Sequence, residues 1–255
     1  ISGEIKFLLL VIHGHCIHYS FMSEQILKAL THLFAIISKQ DGGVTEVERE
    51  FVMSYFNQEL DRKRVAEYMD IYDKKAKYGK YARVRKTPRD SDRPSVVDSA
   101  VAAGIWKKFN KSLSQPQKVI VLFKMLELLM SSQQFTENRM GFVDTAADSF
   151  GVPRDEYLLI KSFVVENDSH QVLDSENILV FDEEMPPEDS KKRFIDSGFL
   201  DGEIMFIRVK SVNLYFTKYT GDDEIFLNGQ LIRKGSIKLF SHGSVFKTPD
   251  RKAHV

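Results

Sequence analysis

The stretch that decides the fold runs from Ser38 to Phe56 and reads S-K-Q-D-G-G-V-T-E-V-E-R-E-F-V-M-S-Y-F. It ends one amphipathic segment, turns at Asp41-Gly42-Gly43, and starts another segment at Thr45. Thr45 and Glu48 have the spacing of a capping box, in which the threonine oxygen accepts the amide of the third helical residue and the glutamate accepts the amide of the cap. The stretch therefore predicts two helices joined by a tight turn.

Apolar residues recur at helical spacing on both sides of this turn. Before it, the apolar stripe consists of Ile26, Leu27, Leu30, Leu33, Phe34 and Ile37. After it, the same periodicity predicts further helices over 45–56, 61–73, 95–109, 116–130, 136–150 and 153–164. The loops between most of these segments are short, which favours an antiparallel helical bundle.

The pattern changes to that of strands in the last part of the chain. From Glu203 apolar residues alternate with polar ones, and this is the period of a half-buried strand. Asn228-Gly229 stands between two apolar runs and is a strong signal for a two-residue hairpin turn, because both residues accept positive φ. Short strands are also predicted at 237–240 and 245–246, so a small β domain follows the helices.

Composition excludes several classes of protein. The 255 residues are 43% hydrophobic and 28% charged with a formal net charge of zero, so no global field attracts nucleic acid or a membrane. The single cysteine, Cys16, excludes an internal disulfide and fits a reducing compartment, so we expect a cytoplasmic location. No apolar run has the length of a membrane span.

Phosphate-loop, zinc-protease and nucleophile-elbow motifs are absent from the sequence, so we expect no enzymatic activity in this chain.

The two ends of the chain differ from the rest. Met22-Ser23-Glu24 has the features of a fresh helix start, so we expect residues 1–21 to be an extension that is not part of the native fold. The alternative is a metal cluster within that extension, with four ligand-type side chains: His13, His15, Cys16 and His18. At the other end the β domain stops at Val255 without a finished edge, and we expect it to be truncated.

Three acidic residues surround the helix start at Thr45, and they allow two interpretations. Asp41, Glu46 and Glu48 could be ligands of a hard cation, Ca²⁺ or Mn²⁺, with carbonyls or water completing the shell of six to eight oxygens that Ca²⁺ takes. Alternatively, Asp41 favours the turn and Glu48 closes the capping box, and neither role needs a metal.

Residues 74–94 are rich in lysine and arginine, interleaved with Tyr78 and Tyr81. Cations and aromatic rings together are typical of a single-stranded nucleic-acid platform, and they are also typical of a solvated loop. The candidate anion-binding residues are Lys80, Arg83, Arg85, Lys86 and Arg89. We do not expect nucleic acid as the main partner, and the anionic-ligand role stays an alternative.

Residues 22–166 resemble the TerB-like helical domains associated with tellurite resistance. The resemblance rests on the helix from Leu27 to Ser38, on Asp41-Gly42 with Glu48 seven positions after the aspartate, and on a weaker second copy at Leu128–Phe150. It implies an all-α bundle of about seven helices. Because TerB-like domains are associated with divalent-cation binding through acidic residues, it also implies Asp41, Glu46 and Glu48 as candidate metal ligands in a stress-response module.

The segment Phe226–Ser244, F-L-N-G-Q-L-I-R-K-G-S-I-K-L-F-S-H-G-S, is similar to the C-terminal half of an FHA-type β sandwich. We therefore expect a multidomain α + β chain with helices over 22–166, a linker with the first β elements over 167–200, and a small all-β FHA-like sandwich over 201–255. FHA domains bind phosphothreonine through a Gly-Arg pair and a Ser-x-x-His motif. Neither occurs before Phe226, so we do not expect phosphopeptide recognition.

The two domains in this order resemble the N-terminal region of bacterial ABC-type ATPases, whose nucleotide-binding domain would follow Val255. The resemblance implies a non-catalytic regulatory or interaction region of a transport-related or stress-related ATPase. Its partners would be the ATPase domain of the parent protein or membrane-associated proteins at the inner face of the membrane.

Overall fold

The computed structural model describes residues 24–40, 43–82, 104, 106–183, 189–197 and 200–248. A helical part is followed by a β part, as predicted. The helices are α1 (Glu24–Lys39), α2 (Glu46–Glu59), α3 (Arg62–Ala76), α4 (Gln115–Ser132), α5 (Glu137–Ser149) and α6 (Arg154–Val165), with a 3-10 turn at Gly79–Tyr81 and a helical segment at 106–112. Within these described ranges, no helix is both long and apolar enough to cross a membrane.

Local sequence sets where the helices begin and end. The Glu48 N–H donates to the Thr45 hydroxyl oxygen and the Thr45 N–H donates to the Glu48 carboxylate, so the predicted capping box is confirmed. Thr136 caps α5 by accepting from the Arg139 N–H, again as predicted. Gly151 follows α5 with a φ of +66°, a conformation that glycine adopts without a Cβ penalty.

Helix α3 ends later than the sequence pattern predicted. We expected it to end near Asp73, but it continues to Ala76, and Lys77 follows in the left-handed conformation with a φ of 59°. Lys74 and Lys75 lie in its last turn, where cations complement the negative end of the helix dipole. The beginning of the basic stretch is therefore helical.

In the part of the chain that the structure describes, eight strands form two sheets. They are β1 (Ile178–Asp182), β2 (Arg193–Asp196), β3 (Ile204–Val209), β4 (Leu214–Tyr219), β5 (Ile225–Leu227), β6 (Gln230–Ile232), β7 (Ile237–Phe240) and β8 (Phe246–Lys247). The larger sheet has the order β2-β1-β3-β4-β7 and the smaller has the order β6-β5-β8. The β1–β2 pair is parallel and the other described pairs are antiparallel, so the larger sheet is mixed. The predicted Asn228-Gly229 turn joins β5 and β6, with φ values of 52° and 81°.

The larger sheet is the middle of three layers. On one face, Leu214 and Phe216 of β4 belong to the same hydrophobic cluster as the helices, and the Phe216 ring stacks on Phe123 of α4 with 3.8 Å between ring centroids. On the other face, Phe206 and Tyr219 pack with residues of the smaller sheet in a second cluster. The alternation along the strands thus divides the apolar residues between a helix–sheet core and a sheet–sheet core.

Candidate functional site

Described residues on both sides of the α1–α2 turn surround a buried cation. Arg139 of α5 is fully buried, and its guanidinium extends into this loop from the second half of the helical part. Its Nη1 donates to Glu48 Oε1 at 2.5 Å. Its Nη2 donates to the carbonyl oxygens of Ser38, Gln40 and Gly43 at 3.4, 3.1 and 3.4 Å. One guanidinium therefore binds the end of α1, the loop and the first turn of α2.

Both oxygens of the Glu48 carboxylate have donors. Oε2 accepts the Thr45 N–H at 2.9 Å and the Thr45 hydroxyl at 3.0 Å, while Oε1 accepts from Arg139. The Glu48 and Arg139 side chains are each 0% exposed. Removing one partner of such a pair leaves an uncompensated buried charge, which typically costs about 3–5 kcal/mol.

Arg139 stands at the third position of α5, where a capping box would carry a glutamate. Its main-chain N–H still donates to Thr136, so the cap fixes the start of the helix. The side chain turns instead to Glu48, 91 residues earlier in the chain. The residue at the third position of α5 thus supplies the countercharge for Glu48.

The structure describes two of the three predicted metal ligands, and these two have different surroundings. Glu48 is bound by Thr45 and Arg139, as described above. Glu46 accepts a hydrogen bond from the Tyr78 hydroxyl. Asp41 lies outside the described residues. Across the part of the chain that the structure describes, no group of three or more His, Cys, Asp or Glu side chains is arranged to hold a metal ion.

A groove of about 470 Å³ lies between α2, α3 and the 3-10 turn at Gly79–Tyr81. Arg49 and Asp73 form a two-point ion pair across it, with Nε–Oδ1 and Nη2–Oδ2 distances of 2.9 and 3.0 Å. The Arg49 guanidinium also lies 5.3 Å from the centre of the Tyr78 ring. The hydrogen bonds that Arg49 donates to Asp73 raise the pKa of Arg49, so this cation stays charged.

Lys80 is the one predicted anion-binding residue that lies within the described residues. Its ammonium is 3.1 Å from Asp70 and 4.9 Å from the Tyr81 ring centre. Its hydrogen bond to Asp70 raises the pKa of Lys80. The charge of Lys80 is therefore matched by a carboxylate. Arg83, Arg85, Lys86 and Arg89 lie outside the described residues.

A second buried cation joins the helical part to the larger sheet. Lys218 of β4 is 0% exposed, and its ammonium donates to the carbonyl oxygens of Phe163 and Val164 at 3.0 and 3.1 Å, and to that of Glu166. Phe163 and Val164 lie in the last turn of α6 and Glu166 is its C-cap, where the carbonyls lack intrahelical donors. Burial lowers the pKa of Lys218 to about 8.

Helix α4 holds the neighbouring strand at the same place. Lys218 pairs with Ile237, the first residue of the edge strand β7. The Ile237 N–H donates to Glu127 Oε1 at 2.9 Å, and its carbonyl accepts from Lys124 Nζ at 3.2 Å. Lys124 and Glu127 also form an ion pair of 2.6 Å. We call Lys218, Lys124, Glu127 and Ile237 the helix–sheet junction.

The sequence carried signals for these buried charges that our interpretation did not use. Lys218 occupies the position after Leu214 and Phe216 in the alternation of β4, where an apolar residue is expected on the helix-facing side. Glu127 lies within the apolar run of α4 and is 9% exposed. A charged residue at a core position indicates a specific buried partner, but the identity of the partner depends on the tertiary fold.

Comparisons with protein-family models, with curated proteins and with solved structures gave no match for this chain.

Proposed function

We propose that this chain is a non-catalytic regulatory and interaction region, and that it acts as one rigid unit beside the nucleotide-binding domain of a bacterial ABC-type ATPase. The sequence resemblance to TerB-like and FHA-like domains in this order supports the link to an ATPase. The helix–sheet junction is the main observation that supports action as one unit.

The junction matters because a non-catalytic region can regulate only if a structural change in one of its parts is transmitted to the other. A helical bundle and a sandwich joined only by a flexible connection would move independently, since intrachain domain interfaces are usually small and polar. Here Lys218 binds the last turn of α6, and Glu127 binds the main chain of β7. The stacked rings of Phe123 and Phe216 add apolar contact at the same boundary. A ligand or partner on the helices is therefore coupled mechanically to the sheet.

A second contact strengthens this coupling on α6. The Ser211 N–H donates to Glu156 Oε1 at 3.0 Å, and the Ser211 hydroxyl donates to Glu156 Oε2. Glu156 lies in the first turn of α6, whereas Lys218 binds the last turn. The first turn of α6 is thus fixed to the connection between β3 and β4, and its last turn is fixed to β4 itself.

The ATPase link is tested by the coding sequence that follows residue 255 and by two activity measurements. We expect a phosphate-binding loop downstream, ATP hydrolysis by the longer protein, and no hydrolysis by the isolated chain above a buffer control. Steady hydrolysis by the isolated chain would overturn the non-catalytic part. A stop codon directly after Val255 would remove the ATPase link.

Coupling within the longer protein is tested by a variant of the junction. Lys218→Met removes the donor to α6 and leaves the ATPase domain untouched. We expect this change to alter the rate of ATP hydrolysis or its response to partners, whereas Lys210→Met, on an exposed ion pair with Glu176, leaves both unchanged. Equal behaviour of the two variants would count against a rigid regulatory unit.

A further inference from the structure

We propose that the α6–β1 connection, residues 166–177, is held to the larger sheet by a proton-dependent clamp, and that uptake of a proton by Glu203 tightens the clamp. This connection is the chain segment that leads from the last helix to the first strand. The proposal concerns this segment alone and is independent of the proposed link to an ATPase.

The clamp is built around Ser169, a residue of the connection that is 0% exposed. The Ser169 N–H donates to Glu203 Oε2 at 2.9 Å, and the Ser169 carbonyl oxygen accepts from Lys192 Nζ at 2.7 Å. Buried main-chain groups need hydrogen-bond partners. An acid and a base supply these two partners, so the hold on the connection depends on ionisable side chains.

Glu203 lies directly before β3, at an end of the sheet that carries several carboxylates. Because Phe181 pairs with Ile204 in the antiparallel β1–β3 ladder, Asp182 and Glu203 stand opposite each other as the next two residues. Asp182 is also the register partner of Asp196, at the end of β2. Like charges that are directly opposite on neighbouring strands destabilise a sheet. This end of the sheet is therefore unfavourable for a further negative charge.

Burial and the neighbouring carboxylates act on Glu203 in the same direction. Desolvation raises the pKa of Glu203 above its ordinary value of 4.5, and Asp182 and Asp168 raise it further. The hydrogen bond from the Ser169 N–H opposes this rise without reversing it. The clamped chain therefore binds a proton at Glu203 more tightly than a chain in which the connection is released and this carboxylate is solvated.

Two lysines face the same carboxylate from other elements. Lys192 precedes β2 and Lys218 belongs to β4; burial lowers the pKa of both, and Glu203 is among the carboxylates that oppose this effect. The pKa of Lys218 is about 8, so this cation keeps its charge below pH 7. The lysines retain an ionised Glu203 at the clamp, whereas a proton removes its repulsion from the aspartates. The clamp thus exists in both states and is tighter in the protonated one.

Release of the connection should consequently release a proton. The stabilisation from Glu203 is complete below the ordinary pKa of 4.5 and is lost as the pH rises through the higher pKa of the folded chain. Linkage to one proton limits the change in the release equilibrium to about tenfold per pH unit. A fall in pH should therefore make the connection between the helical part and the β part more rigid.

The test is hydrogen exchange of the Ser169 amide at pH 4, 5, 6 and 7, corrected for the intrinsic exchange rate, in the wild type and in Glu203→Gln. Glutamine is uncharged and keeps an acceptor for the Ser169 N–H, so it imitates the protonated acid. At pH 7 the protection factor of Glu203→Gln should exceed that of the wild type. The ratio of the two protection factors should fall toward one as the pH is lowered, by at most about tenfold per pH unit.

Glu176→Gln is the matched control, because Glu176 is a 67% exposed carboxylate that pairs with Lys210 on the surface. Its protection factors at Ser169 should equal those of the wild type at every pH. Histidine side chains titrate in the same range, so His170→Gln separates the effect of the neighbouring imidazole and should keep the wild-type pH dependence.

Asp182→Asn removes one of the repelling charges and should move the pH dependence of the Ser169 amide to lower pH. Urea unfolding provides a second measurement, in which Glu203→Gln should be more stable than the wild type at pH 7 and should lose this advantage at pH 4. A ratio of protection factors that does not change with pH, a pH dependence that His170→Gln abolishes, or a Glu203→Gln variant less stable than the wild type at pH 7 would each overturn the proposal.

Discussion

The Lys218 ammonium lies 3.0 Å from the Phe163 carbonyl oxygen, so a side chain of strand β4 caps the end of helix α6. The C-terminus of a helix carries a partial negative charge, and a cation there is favourable. Removal of the ammonium from water is unfavourable, and burial accordingly lowers the pKa of Lys218, against the opposing influence of Glu166, Glu127 and Glu203. The contact thus connects β4 to α6 through specific hydrogen bonds, and it does so at the energetic cost of burying a charge.

Lys218→Met should destabilise the folded chain. The change removes the charge and leaves the carbonyls of Phe163, Val164 and Glu166 without this donor in a buried place. Unsatisfied buried acceptors typically cost about 1–3 kcal/mol, and methionine retains most of the apolar stem. Urea unfolding at pH 7 measures the difference in free energy.

Lys210→Met is the control for this change. Lys210 is 53% exposed and pairs with Glu176, which is 67% exposed. Exposed ion pairs contribute about 0–1 kcal/mol, so this variant should stay close to the wild type. Equal losses in the two variants would show that Lys218 has no special role at the junction.

The stability of the wild type should rise with pH in the alkaline range relative to that of Lys218→Met. In the folded chain Lys218 loses its proton at a pKa of about 8, whereas the ordinary value is 10.5. Unfolding therefore takes up a proton between these two pH values, and the free energy of unfolding increases with pH there, by at most about 1.4 kcal/mol per pH unit.

Urea unfolding of both proteins at pH 7.5, 8.5 and 9.5 checks this dependence. Lys238 is partly buried and its pKa is also lowered by desolvation, but it is present in both proteins, so its contribution cancels in the difference. A constant difference between wild type and variant over this range would contradict the lowered pKa of Lys218.

The helices and the larger sheet should unfold in one transition. Residues from both parts share one hydrophobic cluster, and the junction adds hydrogen bonds across the boundary. Trp106 reports on the helical part, because its ring is 4% exposed and packs on Phe142 and Phe150 with centroid distances of 4.9 and 5.5 Å. Hydrogen exchange of the Met205 and Ile207 amides reports on the sheet. The two probes should give the same midpoint in urea, as two-state unfolding requires, and separated midpoints would indicate independently folding units.

Local rules predicted much of the secondary structure. The capping box at Thr45, the cap at Thr136 and the hairpin turn at Asn228-Gly229 depend on a few adjacent residues, so one sequence sufficed to find them. The end of α3 was predicted too early, because a run of lysines suits both a solvated loop and the last turn of a helix.

The candidate site depended on contacts between distant residues, and those were not predictable in the same way. Glu48 and Arg139 are 91 positions apart, and Lys218 reaches carbonyls more than 50 positions earlier. The sequence indicated acidic residues at the α1–α2 turn but not which cation would neutralise them. That choice follows from the packing of α5 against the turn, which a single sequence does not determine.

Gly221→Ala should be strongly destabilising, because two turns of the β part touch through their main chains. A Cβ added at Gly221 would lie 1.5 Å from the Asp201 carbonyl oxygen and 2.3 Å from the Tyr219 hydroxyl oxygen. The Tyr219 hydroxyl itself donates to that carbonyl at 2.6 Å and accepts from the Asp223 N–H at 2.8 Å, so it cannot move without breaking both bonds. We expect a loss of about 2–4 kcal/mol, from overpacking together with the broken hydrogen bonds.

Gly141→Ala is the opposite case and serves as the control. Gly141 lies inside helix α5, is exposed, and has no atom within 4 Å of a potential Cβ. Alanine is favoured over glycine in a helix interior by about 0.5–1 kcal/mol, so this variant should be more stable than the wild type. Urea unfolding of both variants should therefore show shifts of opposite sign. If Gly221→Ala were as stable as the wild type, the distance between Asp201 and Gly221 in solution would have to be larger than in the structure.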